Sequence, residues 1–536
     1  MKLIDQHTKA IMEECKARAR AAGLRFEDET LEYVVSNRDM IELSPKGMIP
    51  TLYDFWANDV EVLKKAGEYS LYPHNPYETV INSRPAISFY NDNNPDWLNI
   101  MIFYHVIAHI DFFQNNAMFK NTWQDDFVGK GLADKRLIAS LRTEHGRWLD
   151  YVLEFARGID NITGYFEELR ADRADPAMEP PKVLDFYFGH FLQEVVKASH
   201  NFIFAEVDKY NRLRATDPAV GEAIFLAEVK KRFPEFQMKF DKHAGGPRRQ
   251  PVDLLSFLME HSPFIKKEQN HWMRSVLSIV RSTALYFEPQ IRTKTINEGW
   301  ASYWHDTLFR QDERIRGHEV AYARINAAVT SVNWIGLNPY AIGLRLIQHV
   351  EEQADKGKLH YDFQRLAGIE QRRDYDLRVG EGKRAIFGLR QHFSDFTLVN
   401  TFVSQEFVDR FNLFVVGKRL NPQKQTYEYY VKSRKAQDYK QMLIDSFYHP
   451  ARVEVDLEKT TDEHLHLRHR FEGKQLYKDF VPETLMGISY LWGGAVSLET
   501  MELTKKGFNQ QTNKVILEQR PVAYTFHQGK LGKRNL

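Results

Sequence analysis

His105 and His109 stand four residues apart in Trp97 to Phe113 (WLNIMIFYHVIAHIDFF). On a helix their imidazoles leave one face a turn apart, with the small Ala108 beside them. Imidazoles so placed serve as metal ligands or as proton donors and acceptors, provided an opposing element completes the set. Burying an imidazole without a hydrogen bond costs about 1–3 kcal/mol, so two on one face demand acceptors or a cation. From spacing alone, two core histidines satisfied by carbonyls or carboxylates also account for the pattern.

Asn297 to His305 (NEGWASYWH) supplies the opposing element. Glu298 and His305 are seven residues apart, two helical turns on one face, with small Ala301 and Ser302 between them and Trp300, Tyr303 and Trp304 on the flanks. Glu298 is expected in the first turn of its helix, after Pro289, where the macrodipole favours an ionised carboxylate. A His-x3-His helix facing a Glu-x6-His helix offers His105, His109, Glu298 and His305 as ligands. That donor set suits zinc above all, and also non-haem iron or manganese.

Two assignments stay open. Either His105, His109 and Glu298 bind the ion with His305 as fourth ligand or proton carrier, or the three histidines bind it and Glu298 is the base, so Glu298 and His305 are the candidate catalytic groups. The pattern is similar to the gluzincin metallopeptidases, where a His-Glu-x-x-His helix and a later Glu-containing helix hold zinc. Val106 occupies the place of the general-base glutamate of those enzymes. Around the cluster, Asp111 is expected to orient a ligating imidazole or to cap the helix end, with Asn115 and Asn297 as further positioning residues.

The elements that must hold these groups follow from periodicity. Trp97 to Phe113 is apolar around nearly its whole circumference, the pattern of a helix buried inside a large domain. Leu3 to about Gly23 reads as a charged helix and Pro45 to Pro50 as a connector. Thr51 to Phe411 shows mostly helical spacing, broken at Pro73 to Pro76, Pro176 to Pro181, Ala244 to Pro247 and Gly336 to Pro339. Asp172 to Pro181 reads as a surface loop, Ala244 to Pro251 as a mobile stretch, and Asn338-Pro339-Tyr340 as a helix start.

After about Phe407 the rhythm changes to short alternating runs: Phe411 to Val416, Thr426 to Val431, Arg452 to Leu457, His464 to Phe471, Ala495 to Glu499 and Lys514 to Glu518. Ser433 to Phe447 and Val481 to Trp492 read as helices among them. The expected fold is mainly α with an α+β C-terminal domain. A large helical body, residues 1–406, would carry the His/Glu cluster on a zincin-like helix pair, and a small antiparallel-sheet domain would span 407–536. His190 and Glu194 read as an ordinary helix pair, and His464, His466 and His469 as side chains on a solvated sheet face.

Composition removes several function classes. The 536 residues are 43% hydrophobic, and 73 Lys plus Arg against 72 Asp plus Glu leave a net charge of +1. No global field therefore draws the chain to nucleic acid or anionic lipid; Lys230-Lys231-Arg232 and Lys530 to Arg534 are short basic runs. The single cysteine, Cys15, can build neither a disulfide framework nor a thiolate metal site. Met1 to Ile11 lacks the apolar centre of a signal peptide, and Trp97 to Phe113 is too short and too interrupted to span a bilayer. A cytoplasmic protein without membrane insertion is expected. No phosphate-binding glycine loop, Gly-x-Ser-x-Gly elbow or dinucleotide fingerprint is present.

Four segments, Val80 to Pro85 (VINSRP), His105 to Asn116 (HVIAHIDFFQNN), Asn297 to His305 and Gly336 to Gly343 (GLNPYAIG), resemble signatures of the SpoVR (stage V sporulation protein R) family in the same order. Ala108 and Gln114 depart from the Gly and Lys of many members, and about 162–250 matches poorly. The resemblance implies a role in bacterial spore cortex formation or in stress and stationary-phase physiology. It also implies a PrkA-type serine protein kinase and a von Willebrand A-like protein as partners. It leaves two function classes: a metal-dependent, hydrolase-like enzyme acting on peptide or cell-wall precursors, or a non-catalytic regulatory or adaptor protein of the kinase module. The first requires bound metal; the second, a site sealed from solvent.

Overall fold

Short β-branched and aromatic runs build a sheet ahead of the buried histidine helix. The computed structural model describes residues 2–27, 29–36, 39, 78–122, 127–162, 182–198, 200–216, 218–244, 253–333, 336–421, 423, 425–447, 451–471, 473–509 and 514–536. The Pro45 to Pro50 connector, the breaks at Pro73 to Pro76 and Pro176 to Pro181, the Asp172 to Pro181 loop and all but the first residue of Ala244 to Pro251 lie outside them.

β1 (Lys2–Leu3), α1 (Gln6–Ala21), β2 (Thr30–Val35), β3 (Glu78–Ile81) and β4 (Ala86–Asn91) come first, with the strands ordered β1-β2-β4-β3. β2 and β4 run parallel and the other pairs antiparallel. The helical spacing expected from Thr51 onward thus gives way at 78–91, where ETVI and AISFYN are too short and too β-branched to sustain several helical turns. The VINSRP motif is the end of β3 and its turn. Asn82 donates through Nδ2 to Thr122 Oγ1 (3.1 Å) and its carbonyl accepts the Tyr286 hydroxyl (2.6 Å).

α2 (Asp96–Asn115) is buried at every position from Leu98 to Phe113, as its all-round apolar sequence requires. α3 (Phe127–His145), α4 (Arg147–Arg157), α5 (Leu254–His261) and α6 (Trp272–Arg292) follow in the same compact unit, then α7 (Lys294–Phe309), α8 (Glu319–Val329), α9 (Pro339–Asp355), α10 (Gly382–His392) and α11 (Asp395–Phe402). Asn338 caps α9 by accepting the Tyr340 N–H (3.1 Å), with Pro339 in the first turn, so the GLNPYAIG start is a helix start.

α7 packs against both α2 and α9. The α7–α9 approach is backbone to backbone: a Cβ on Gly299 would lie 2.3 Å from the Gly343 carbonyl carbon, and one on Gly343 would lie 2.0 Å from the Thr295 oxygen. The glycines of NEGWASYWH and GLNPYAIG are therefore each other's contact.

β5 (Val415–Asn421) and β6 (Thr426–Ser433) form a hairpin; α12 (Ala436–Ser446) leads to β7 (Arg452–Val455), β8 (His464–Arg470), α13 (Val481–Trp492), β9 (Ala495–Asn509), β10 (Lys514–His527) and β11 (Lys530–Asn535). The five-stranded sheet has the order β11-β10-β9-β8-β7 and is antiparallel except between β8 and β9. That pair is parallel because α13 carries the chain back across the sheet. Leu465, Leu467, Val496, Leu498 and Val522 of the sheet share one core with Leu149 and Val152 of α4, Leu258 of α5, Val276 and Leu277 of α6 and Leu485 of α13.

Gly164–Asp253 is a second compact unit. Its π-helix Phe186–Val195 and helices His200–Thr216, Pro218–Arg232 and Phe236–Ala244 surround their own aromatic core of Tyr187, Phe191, Phe225 and Phe236. His190 packs against Phe186 there, with ring centroids 5.4 Å apart.

Candidate metal centre

The site lies where α2 meets α7. α7 begins at Lys294, so Glu298 falls in its second turn rather than its first, and Pro289 sits inside α6. The anion at the first turn comes from elsewhere: Asp395 of α11 accepts the N–H groups of Thr295 and Ile296, both at 2.8 Å. Burial pushes Asp395 up to about 7, against the pull of those two bonds. Asp395 thereby anchors the helix start four residues before the cluster.

His105 Nε2 and His109 Nε2 are 3.1 Å apart, and Glu298 Oε2 lies 3.8 Å from the first and 3.4 Å from the second. A tetrahedral ion with bonds of about 2.0–2.1 Å has ligand atoms roughly 3.3–3.4 Å apart, so the three separations bracket that value. Glu298 Oε2 is buried without a hydrogen-bond partner, a costly state for a carboxylate oxygen that a cation would relieve. Among the described residues these are the one group of three histidine, cysteine or acidic side chains with converging donor atoms. The donors present therefore fit a divalent ion.

Access is graded. The side chains of His105 and His109 are 7% and 8% exposed and that of Glu298 is 17% exposed, although its Oε2 is itself buried. The Tyr340 ring stacks at 6.1 Å from His105, and Phe113 at the same centroid distance from His109. Burial pushes the His105 imidazole down to about 3, and that of His305 to about 4. Burial alone would raise Glu298, but the two imidazoles beside it hold its carboxyl below the usual carboxylate range.

The other anticipated residues separate into two groups. Asn297 Oδ1 lies 2.9 Å from His109 Nδ1, and His305 Nδ1 lies 2.9 Å from His105 Nδ1. Both touch the far side of a candidate ligand. His305 stands behind His105 rather than beside the converging atoms, because its other nitrogen, Nε2, is held by Asn326 Oδ1 at 3.0 Å.

Asp111 and Asn115 are turned elsewhere. Two positions past His109, Asp111 leaves a different face of α2, accepting the Trp300 indole N–H (2.9 Å) and the Arg25 amide (2.7 Å), with Arg390 at 3.5 Å. Asn115 donates to the carbonyls of Arg25 and Asp111, as a residue closing the helix does. Val106 is fully buried. His464 and His469 contact Ser497 and Thr500, both at 2.8 Å.

Asp395, Asn326 and Asp306 were not foreseen. Asp306 adjoins His305, whereas Asn326 and Asp395 carry no spacing signal that links them to the cluster. Tyr340 stood in plain view within GLNPYAIG.

A mainly helical chain with a His/Glu cluster between two buried helices and a strand-rich C-terminal part is the class these features define. The family model described as SpoVR like protein matches residues 4–450, which include all four motifs and every residue of the cluster; the chain belongs to the SpoVR family. It is also similar to a protein of Escherichia coli (strain K12) described as uncharacterized protein YcgB, 25% identical over 413 residues covering 72% of this chain and 70% of that one. No solved structure matches. No helix among the described residues is long and apolar enough to cross a membrane.

Proposed function

We propose that the protein is a metal-dependent, hydrolase-like enzyme whose ion is held by His105, His109 and Glu298. The observation that carries this reading is the convergence of two imidazole nitrogens on a buried carboxylate oxygen that has no hydrogen-bond partner. Zinc suits the two-nitrogen, one-oxygen set best, and iron or manganese could use the same donors. Once bound, such an ion supplies Lewis acidity and lowers the pKa of a coordinated water.

The chain's own residues do the positioning. Asn297 holds His109, His305 holds His105, Asp395 anchors the helix that carries Glu298, and Tyr340 and Phe113 wall the imidazoles from bulk water. The partial exposure of Glu298 supports a site that admits substrate. With both nitrogens of His305 engaged, the assignment with Glu298 as ligand is preferred to the three-histidine one.

One observation favours the adaptor reading: Val106 leaves the usual base position apolar and fully buried. Under either reading we propose the PrkA-type kinase and the von Willebrand A-like protein as partners in a cytoplasmic spore-cortex or stress module, as the family resemblance implies.

Metal analysis of the purified chain tests the proposal. About one zinc, iron or manganese per chain is expected, lost in His109→Ala while the fold persists. Native protein without stoichiometric metal, together with a His109→Ala variant of undiminished biological activity, would overturn it.

A further inference from the structure

A string of hydrogen bonds runs from Asp306 to the cluster, and its polarity can be read from its outer end. Asp306 Oδ1 accepts from Arg310 Nε (2.8 Å), from the Tyr322 hydroxyl and from Asn326 Nδ2 (3.2 Å). A carboxylate paired with a guanidinium only accepts, so the Asn326 amide must turn its NH2 toward Asp306 and its oxygen toward His305. At 3.0 Å that oxygen requires the proton of His305 to be on Nε2. In the neutral ring Nδ1 is then an acceptor, and its neighbour at 2.9 Å, His105 Nδ1, must be the donor. The Nε2 lone pair of His105 therefore faces Glu298 and His109.

We infer that Asn326 and Asp306 are positioning residues which, acting through His305, fix the tautomer of His105 and so present its Nε2 as a metal ligand. The inference rests on the metal reading and deepens it. Asn297 does the same for His109 in one step, since its Oδ1 faces Nδ1 at 2.9 Å. With both rings protonated on Nδ1, a cation beside the carboxylate would accept both Nε2 lone pairs, which lie 3.1 Å apart. Partners behind a ligating histidine typically carry 10–100-fold in metal affinity.

The test uses the full chain. Zinc alone is titrated into metal-free wild type, Asn326→Leu, Asp306→Leu and Asp306→Asn, and the ring nitrogens of the metal-free wild type are read by 15N NMR with histidine-selective labelling. Both leucine variants are expected to lose about 10–100-fold in zinc affinity, whereas Asp306→Asn keeps an accepting oxygen and stays close to wild type. The spectrum is expected to show His105 protonated on Nδ1 and His305 on Nε2. His105 protonated on Nε2, or an Asn326→Leu variant with unchanged affinity, would overturn the inference. Should a leucine variant fail to fold, the wild-type spectrum still decides. A wild type that binds no zinc yet shows these tautomers would defeat the metal reading and leave the positioning role standing.

Discussion

Burial governs the chemistry of His105. Its imidazole, pushed down to about 3 from an ordinary 6.5, is neutral across the physiological range, so protons compete for Nε2 only in strong acid. Because the folded value lies below the ordinary one, protonation of His105 should not weaken zinc binding as pH falls from about 8 to about 5, where an exposed imidazole would already compete near 6.5. Competition titrations across that range check this; a fall centred on the ordinary histidine value would contradict it. Asp111 makes a different kind of prediction. It is fully buried beside Arg390, which is itself 6% exposed, and burial pushes its carboxyl up to about 6. Asp111→Ala leaves a buried guanidinium without its carboxylate and should cost about 3–5 kcal/mol by urea denaturation; a loss below about 1 kcal/mol would show that Arg390 finds other partners. Helical spacing is enough to set His105 beside His109 and Glu298 in line with His305, because residues four and seven apart share a face. It cannot say what stands opposite, so the sequence leaves Asp111, whose partners are at 25, 300 and 390, as either a partner of the imidazoles or a cap of the helix end.

The α7–α9 contact controls where Glu298 points. Gly299 and Gly343 touch through their backbones, and a methyl group on either would overlap the other helix or its neighbour's carbonyl. Gly299→Ala and Gly343→Ala should each cost about 1–3 kcal/mol, the usual range for overpacking, and should weaken zinc binding, because α7 must shift away from α9. Denaturation midpoints and zinc affinities of the two variants test this. Stability within about 0.5 kcal/mol of wild type would mean that the helices part without moving Glu298. The sequence marks both glycines but does not pair them. Val481–Trp492 was legible to the residue, bounded by Pro482 in its first turn and by Gly493 in the left-handed conformation after its end. Of the strands after residue 407, β6, β7 and β8 were legible from their alternation and β9 and β10 only at their starts, whereas β5 begins at the end of the expected 411–416 run and β11 was not foreseen. The parallel pairing of β8 with β9 and the early strands β3 and β4 were not, since pairing partners are set by packing and not by local pattern.

Each compact unit keeps its own core. Among the described residues, the hydrophobic cluster that joins α4, α5, α6 and α13 to the C-terminal sheet contains none from Gly164–Asp253, and the aromatic cluster of that segment contains none from outside it. The segment also coincides closely with the 162–250 stretch where the family resemblance weakens, as an independently packed insertion would. Replacing 164–253 with a flexible Gly/Ser linker should therefore leave the remaining chain folded with its metal stoichiometry unchanged; loss of the cooperative unfolding transition would contradict this. The most direct test of the central claim is an anomalous difference map from crystals of the native protein, recorded at the absorption edge of the metal found by analysis. The account predicts one peak within bonding distance of His105 Nε2, His109 Nε2 and Glu298 Oε2. A map without that peak, in which Glu298 Oε2 takes a direct hydrogen bond from an imidazole, would contradict it.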